Sequence, residues 1–417
     1  MSKKNKKILL VLTLLFFCPF LCACPKDSIP KGTEIEQFDV FRIFGVDQSA
    51  DDPTLVEATF LVENILQQSG GSKDGGGGGA KVYTIKSSTA STIFEAQRTL
   101  KAHSDKKEFF GYVDFILIGE AAAKEDIGKY FDFIVRGHEF RLSPKVFIIQ
   151  GSSVKDFIEQ ASSESVYIAD RLENLEFDIS DLSNTQEVRT IDVFSMLNND
   201  QIATVIPVLK LKDFEDEVLI GGQQPQKDIE THGYAVIKDF KLVGYFDETL
   251  ARGHNFLFNE VHSAPISVKD YTGEYVALEV LHQTLKVQAH FKGDTLEGVT
   301  YVSEVFSNIT EQHSKADIYS RYSLEQLAAE QSKVLQTEME QMIQKSQEEF
   351  GIDCIHLAER IRMSHPLKWQ KIKDSWKEIF PTLKIEVQVQ SDIRRSYDIH
   401  EPAGYDTGDK QKWSIYH

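Results

Sequence analysis

Phe110-Gly111-Tyr112-Val113-Asp114-Phe115-Ile116-Leu117-Ile118-Gly119-Glu120 is the stretch that decides the fold. Its apolar side chains follow one another almost without interruption. A strand with one face in water alternates polar and apolar residues, whereas an unbroken apolar run is typical of a strand covered on both faces. The stretch therefore predicts a strand that is buried within a sheet.

The segments on either side of this run alternate between strand and helix patterns. A helix is predicted for Ser91–Lys101, and Ile127, Tyr130, Phe131 and Ile134 recur at spacings of three and four, which puts them on one face of a helix. Strand patterns occupy Phe38–Asp47, Thr54–Ile65, Lys81–Lys86 and Lys145–Gln150. This alternation predicts an α+β or α/β module.

The second half of the chain combines further strands with a long helix. Residues 176–190 are polar and acidic and are interpreted as a linker or an active loop. A helix of about eight turns is predicted for Asp317–Phe350, with Gly351 as its cap. A shorter helix stops before Pro366, and the next contains Trp369 and Trp376 and ends at Pro381. The predicted strands are Ile202–Lys210, His232–Ile237, Lys241–Phe246, Tyr275–Leu281, Thr284–Phe291, Leu296–Phe306 and Lys384–Val389, with Thr284–Phe291 and Leu296–Phe306 forming an antiparallel ribbon.

The N-terminus has the three parts of a secretory signal. Four lysines precede an apolar run from Ile8 to Leu21, and small residues then lead to Leu21-Cys22-Ala23-Cys24. Fourteen helical residues reach only about 21 Å, against roughly 30 Å of bilayer hydrocarbon, which disfavours a permanent transmembrane helix. The Leu-x-Ala-Cys ending resembles the lipobox of bacterial lipoproteins, in which the cysteine becomes the lipidated first residue.

A plain signal peptide is the alternative interpretation, and the cysteines argue against it. Cleavage before Cys24 would discard Cys18 and Cys22 and leave Cys24 with the distant Cys354. An exported chain without a convincing disulfide, but with a cysteine at the cleavage point, fits lipidation better. Cys354 is expected to be a small buried apolar side chain.

The net charge limits what the protein can bind. It is −18 for the whole chain, and removing residues 1–23, which hold four lysines and no acidic residue, brings it to −22. Such a surface repels nucleic acid and anionic headgroups, so electrostatics alone does not hold the protein on a membrane. The two acyl chains of a diacylglyceryl group on Cys24 would supply a stable anchor.

A search for chemistry finds no catalytic, cofactor or metal motif in the sequence. His-Glu-x-x-His, Gly-x-Ser-x-Gly and Cys-x-x-Cys are absent. His282 and His290, on strands predicted to be adjacent, are a weak candidate metal pair without further ligands. Glu139, between Arg136 and Arg141, is either an acid/base group or, preferably, part of a structural ion pair.

Three other features have simple structural interpretations. Gly75–Gly79 runs into a strand rather than opening a helix, so it is interpreted as a flexible hairpin extension and not as a phosphate loop. Trp369 and Trp376 share one helical face and are expected in the core. The lysines near them are interpreted as solvated, with headgroups or an acidic partner as the alternative: Lys368, Lys371, Lys373, Lys377 and Lys384.

Four patches of the sequence resemble the C subunits of spore germinant receptors, the Ger(x)C lipoproteins. Three of them are Thr92–Leu100 with the following Gly111–Glu120, Ile134–Arg141, and Gly233–Phe246 with Asp247-Glu248, where Ile237 replaces the family's Phe. The most specific patch is C-terminal and resembles the family's Pro-x-x-Trp…Trp…Phe-Pro…Ile-Arg-Arg signature. It comprises Pro366-Leu367-Lys368-Trp369, Ile372, Trp376, Ile379-Phe380-Pro381 and the strand Lys384–Gln390 followed by Ile393-Arg394-Arg395.

The resemblance implies an α+β chain of three mixed α/β domains with the long helix in the last one. We place a signal peptide at 1–23, a tether at 24–37, domains at 38–195, 196–270 and 271–396, and a tail at 397–417. It also implies a non-catalytic subunit without cofactors, anchored by lipid on the outer face of the spore inner membrane and partnered by two integral-membrane subunits of A and B type. A solute-binding lipoprotein of an uptake system is the alternative function.

Overall fold

Two β-sheets and their flanking helices make up the part of the chain that the computed structural model describes. That part is residues 37–63 and 83–394, without 103, 138, 163–166, 184, 214–226, 315–316 and 319, and with the backbone alone for 176–182. The first sheet contains β1 (Phe38–Gln48), β2 (Val56–Glu63), β3 (Tyr83–Ala90), β4 (Lys107–Phe109), β5 (Phe115–Gly119), β6 (Lys145–Gln150), β7 (Thr204–Lys212), β8 (Asp228–Lys238) and β9 (Lys241–Phe246). The helices between them are α1 (Ile93–Ala102), α2 (Glu120–Glu125), α3 (Gly128–Arg136), α4 (Val154–Gln160), α5 (Ile168–Leu182) and α6 (Thr190–Leu197).

The first sheet has a parallel centre with antiparallel edges. The strand order is β3-β2-β1-β5-β6-β7-β8-β9, with β4 paired to β1. The pairs β1–β5, β5–β6 and β6–β7 are parallel, while β2–β3 and β8–β9 add antiparallel strands at the two edges. The mixed α/β class predicted from the sequence is confirmed.

The stretch quoted at the outset supplies the inner strand β5, and all five of its residues are buried. The strand begins at Phe115 and not at Phe110, because Phe110–Val113 form a turn in which the Val113 N–H donates to the Phe110 carbonyl at 3.1 Å. Successive β5 residues pack into different clusters: Ile116 and Ile118 on the face of α1–α3, Phe115 and Leu117 on the face of α4 and α5. Both faces of the strand are covered, as its unbroken apolar run predicts.

The second sheet has the order β10-β11-β12-β13. Its strands are β10 (Ala264–Lys269), β11 (Tyr275–Lys292), β12 (Thr295–Gln312) and β13 (Lys384–Arg394), and its helices are α7 (Glu248–Phe258), α8 (Arg321–Gln344), α9 (Leu357–Ser364), α10 (Pro366–Ile372) and α11 (Trp376–Ile379). The antiparallel β11–β12 ribbon is as predicted, and β13 joins β12 in parallel. The long helix α8 continues as a π-helical turn over Lys345–Phe350 and ends at Gly351, whose φ of 60° is the left-handed conformation expected of a glycine cap.

Three predicted boundaries are wrong. Residues 176–182 are the last turns of α5 rather than a linker. The two strands predicted at Tyr275–Leu281 and Thr284–Phe291 are one strand, β11, with an irregular register between Val280 and His282. The helix predicted through both tryptophans is split into α10 and α11 by a 3-10 turn at Lys373–Ser375.

Helices α7 and α8 approach each other closely at Gly253. A Cβ atom placed on Gly253 would lie 2.5 Å from the backbone oxygen of Glu338. Next to this contact, Arg252 Nε donates to Glu338 Oε2 at 2.9 Å. One cluster of buried side chains runs from β7 and β8 through α7 and α8 to the second sheet. The three-domain division at 196 and 271 stays a prediction.

Candidate functional site: the α1–α3 groove

The predicted lipidation site, Cys24, lies outside the described residues, as do Gly75–Gly79 and the tail at 397–417. Within the described part of the chain, no helix is long and apolar enough to cross a membrane. The site is therefore built from the described residues, which begin at residue 37.

The histidine pair does not form a metal site. His282 and His290 lie on the same strand, β11, eight residues apart, which separates them by roughly 27 Å at the rise of a strand. His290 Nε2 instead lies 2.8 Å from Thr300 Oγ1, and the His282 ring stacks on Phe306. Among the described residues, no group of three or more His, Cys, Asp or Glu side chains is arranged to hold a metal ion.

The expected ion pair of Glu139 is also absent, because Glu139 forms no ion pair with another described residue. Arg136 turns back along α3 instead, and its Nε donates to both carboxylate oxygens of Asp132 at 2.8 and 2.9 Å. This hydrogen bond lowers the pKa of Asp132. The exposed Glu139 side chain stands beside a cavity of about 520 Å³.

This cavity, which we call the α1–α3 groove, lies between helices α1 and α3 and the segment that follows α3. Two of the patches that resemble the Ger(x)C family, Thr92–Leu100 and Ile134–Arg141, supply residues to its wall. The lining residues are Val56, Ser91–Phe94, Gln97, Arg98, Lys129, Tyr130, Asp132, Phe133, Arg136, Gly137, Glu139 and Phe140.

Local hydrogen bonds fix the two helices that border the groove. At the start of α1, Thr92 Oγ1 accepts from the Glu95 N–H at 3.1 Å, and the Glu95 carboxylate accepts from the Ser91 N–H at 3.2 Å. The first bond caps the helix, and the second ties the residue before the cap to the first turn. Helix α3 ends where the Gly137 N–H donates to the Phe133 carbonyl at 2.9 Å, and Phe140 lies under the groove.

Aromatic rings form the floor of the groove. Phe140 packs against Phe110 with ring centroids 4.9 Å apart, against Phe44 at 5.4 Å, and edge-on against Phe133 at 5.7 Å. Phe94 is the exception in this set, because 54% of its side chain is exposed at the mouth of the groove. These contacts make the floor rigid and apolar.

Charged side chains surround this floor, and most of them are already engaged. The Arg98 guanidinium lies over the Phe94 ring at 4.9 Å, and Lys129 pairs with Glu125 at 2.8 Å. Behind the wall, Gln97 Nε2 donates to Glu108 at 3.1 Å, and burial raises the pKa of Glu108. An apolar floor with a mixed-charge rim is the character of a binding site for a partly apolar group.

A second cluster, far along the chain, is structural. The fully buried Asp353 carboxylate accepts hydrogen bonds from the N–H groups of Leu357 and Ala358 at 3.0 and 2.7 Å, and from the Trp376 indole at 3.3 Å. Trp369 packs edge-on against Trp376 at 5.3 Å, so both signature tryptophans are core residues, as predicted. Cys354 is also buried, as expected, and burial raises the pKa of its thiol to about 12.

Sequence reasoning missed both the groove and the buried carboxylate. The groove forms because Phe94 and Phe140, which are far apart in the sequence, line the same cavity, and no local sequence pattern predicts this proximity. Asp353 did have a signal, since an aspartate just before an apolar helical pattern is typical of a residue that caps the helix. The five lysines near the tryptophans are at least partly exposed, and Lys371 and Lys384 pair with Asp294 and Glu386 at 2.7 and 2.6 Å.

The comparisons with known proteins agree on one family. The family model "Spore germination protein N-terminal domain" matches residues 31–211, and "Spore germination B3/GerAC like, C-terminal" matches residues 232–397. Spore germination protein KC of Bacillus subtilis (strain 168) is 24% identical over 377 residues, which cover 87% of this chain and 90% of that protein. Spore germination protein B3 of the same organism is 20% identical over 373 residues, with 88% and 92% covered.

A solved structure has the same fold. The crystal structure of the GerBC protein aligns with 86% of this chain and 99% of its own length, at a TM-score of 0.52 and 18% identity. At this identity the match concerns the fold alone. Together with the two family models, which between them span most of the body, it leads to one conclusion: the chain belongs to the Ger(x)C family of spore germination proteins.

Proposed function

We propose that this protein is the lipid-anchored C subunit of a nutrient germinant receptor and that it acts in triggering spore germination without catalysing a reaction. The observation that carries the proposal is the family match, which runs in order through both halves of the chain from residue 31 to residue 397. Two curated relatives, matched over nearly their whole lengths, are named as spore germination proteins.

In this proposal the anchor is the lipid on Cys24. The Leu21-Cys22-Ala23-Cys24 sequence supports it, because the cysteine stands where a signal peptidase for lipoproteins cleaves. The described body offers no spanning helix, and its acidic surface gives no general attraction to a bilayer. Two acyl chains would hold the body on the outer face of the spore inner membrane, beside the two integral-membrane subunits.

In this proposal the α1–α3 groove is a place to bind. Its rim carries charged groups that are mostly engaged with neighbouring side chains, and phenylalanine rings form its floor. The alternative function, a solute-binding lipoprotein, draws on the same groove, because about 520 Å³ is within the range of small-molecule sites. However, the groove lies on one face of a single sheet and not in a cleft between two similar lobes.

Replacing Cys24 tests the anchoring role. Spores that carry Cys24→Ala are expected to form normally, to lose the protein from the inner-membrane fraction, and to lose most of their response to nutrients, measured as the fall in optical density. Cys22→Ser is the matched control, because it changes the neighbouring cysteine at the free position of the Leu-x-Ala-Cys motif. A normal nutrient response in the Cys24→Ala spores would refute the anchoring role.

Calorimetry separates the two functions. Titration of the mature chain with amino acids and sugars is expected to give no tight one-to-one binding if the chain is a receptor subunit that works through its partners. Tight binding that is lost in Phe140→Ala, a change in the groove floor, would favour the solute-binding function.

A further inference from the structure

The corner where α9 meets α10 has the two most exposed large apolar side chains in the described part of the protein. Leu367 is 82% exposed and Met363 is 70% exposed. They stand four residues apart, on either side of the helix break at His365-Pro366. A single exposed leucine needs no explanation, but two such side chains at one protruding corner suggest a contact surface.

The same corner is basic in an acidic protein. The segment from Arg360 to Lys373 holds five lysines and arginines and no aspartate or glutamate, although the whole chain has 64 acidic and only 46 basic residues. Lys371 is paired with Asp294 at 2.7 Å, whereas Arg362 and Lys373 form no ion pair with another described residue. The positive charge of the corner is therefore not cancelled by its own neighbours.

The corner is also rigidly held. Lys368 Nζ lies 4.3 Å above the ring of Phe291, near the tip of the β11–β12 ribbon, and the ring of His365 is 5.2 Å from the same ring. Trp369, in the first turns of α10, is buried in the core. The exposed apolar side chains thus project from a fixed platform and not from a loose loop.

We propose that this α9–α10 corner is a lipid-contact surface: Met363 and Leu367 enter the headgroup layer of an anionic bilayer while Arg362 and Lys373 contact its phosphates. The proposal rests on the proposed function only in placing the protein at a membrane. Protruding apolar side chains among lysines and arginines, whose long apolar stems can lie along the interface, are the arrangement that interfacial binding requires. A groove would fit a protein segment better, and this corner is convex.

Charge complementarity sets the orientation. At physiological ionic strength, charges farther apart than about 8 Å are largely screened. An anionic headgroup layer therefore attracts the protein when the basic corner faces it and repels the protein when the acidic surface faces it. Stable attachment is the task of the anchor, and the corner alone would give only weak, reversible binding. The corner would determine which side of the anchored body faces the lipid.

The test uses the mature chain with Cys24→Ala, so that binding does not depend on the lipid anchor. Sedimentation with phosphatidylglycerol–phosphatidylcholine vesicles is expected to show binding that falls at least tenfold in Met363→Asp/Leu367→Asp and in half-molar salt. For a charge-matched comparison, the single change Leu367→Asp is set against the control Tyr322→Asp, which adds the same single charge at a side chain that is 68% exposed at the start of α8. The binding of this control is expected to be unchanged, and so is the thermal stability of all variants.

Three results would overturn the proposal. The first is that the Cys24→Ala chain with an unchanged corner does not bind anionic vesicles. The second is that the corner variant binds as well as the Tyr322 control. The third is binding to polyglutamate instead of vesicles, which would indicate an acidic protein partner. Spores with the corner variant and an intact Cys24 separate this inference from the anchoring role. There the protein is expected to stay in the membrane fraction while the nutrient response slows.

Discussion

Asp353→Asn tests how the C-terminal half of the protein is held together. The Asp353 carboxylate is fully buried and accepts four hydrogen bonds, from the N–H groups of Ile355, Leu357 and Ala358 and from the indole of Trp376. Asparagine offers one oxygen only, so its NH₂ group would face two of these donors. Each buried donor left without an acceptor costs about 1–3 kcal/mol, which gives a loss of about 2–6 kcal/mol in the free energy of unfolding.

The size of this loss depends on pH. Burial raises the pKa of Asp353 from 3.8 to about 7, so the folded state binds the proton more tightly than the unfolded state between these values. The unsubstituted protein therefore loses stability as the pH rises from about 4 to 7, by roughly 4 kcal/mol at about 1.4 kcal/mol per pKa unit. The asparagine variant has no proton to lose there, so its deficit should be greatest near pH 5 and should shrink towards pH 8.

Tryptophan fluorescence is the natural readout, because the buried Trp376 donates to this carboxylate and the buried Trp369 packs against Trp376. Urea unfolding is followed from pH 5 to pH 8 for the two proteins and for Asp374→Asn, which removes an exposed carboxylate from the same segment. The control is expected to keep the pH dependence of the unsubstituted protein. If Asp353→Asn keeps it too, Asp353 is not the group that titrates and the reasoning fails.

Three further predictions concern the packing of α7 on α8, the groove and the Asp270 carboxylate. Gly253→Ala would gain about 1 kcal/mol of helix propensity but would press its methyl group into the backbone of α8. We therefore expect the free energy of unfolding, measured in urea, to fall by about 1–3 kcal/mol. A stabilised variant would contradict the close approach of the two helices. Phe140→Ala removes a ring from the groove floor and should lower the free energy of unfolding by about 2–4 kcal/mol. Phe94→Ala, at the exposed mouth, should lower it by less than about 0.5 kcal/mol. Equal losses would mean that the floor is not a packed core. Burial opposes the ionisation of Asp270, but hydrogen bonds from Ser314 and the following turn outweigh it and lower the pKa of the carboxyl group. The ionised carboxylate therefore stabilises the folded state, and this stability is lost as the pH falls through the lowered pKa. Asp270→Asn should flatten the acid side of a plot of melting temperature against pH, and an unchanged slope below pH 5 would show that the carboxylate contributes nothing.

Strands with a strong local pattern could be predicted almost to the residue. Lys145–Gln150 and Lys241–Phe246 have the bounds that the sequence suggested. Helix α5 was not predicted, and its last turns at 176–182 were interpreted as a linker or an active loop. Its anchors, Ile168 and Leu172, are buried near its start, and a helix that is nucleated on a packed face propagates from there.

Long-range relationships could not be predicted in this way. The irregular register of β11 between Val280 and His282 interrupts the alternation along the chain, and one strand therefore looked like two. The groove depends on the distance between α1 and the segment after α3, which only the packing of both on the same sheet determines. The motif for Cys24 is the reverse case, because a lipobox is recognised as a linear sequence and needs no fold.

The parallel pairing of β12 with β13 has a consequence for how the chain reaches its folded state. β12 ends at Gln312, and its partner begins only at Lys384, after α8–α11 have been traversed. If the chain is exported N-terminus first, as the proposed signal peptide requires, one edge of β12 stays open until nearly the whole chain has emerged. An unpaired strand edge invites pairing with other chains and attack by proteases, and non-local pairing is slow. The risk of misassembly is therefore concentrated in the last moments of export, and factors that assist folding outside the membrane would act on this sheet.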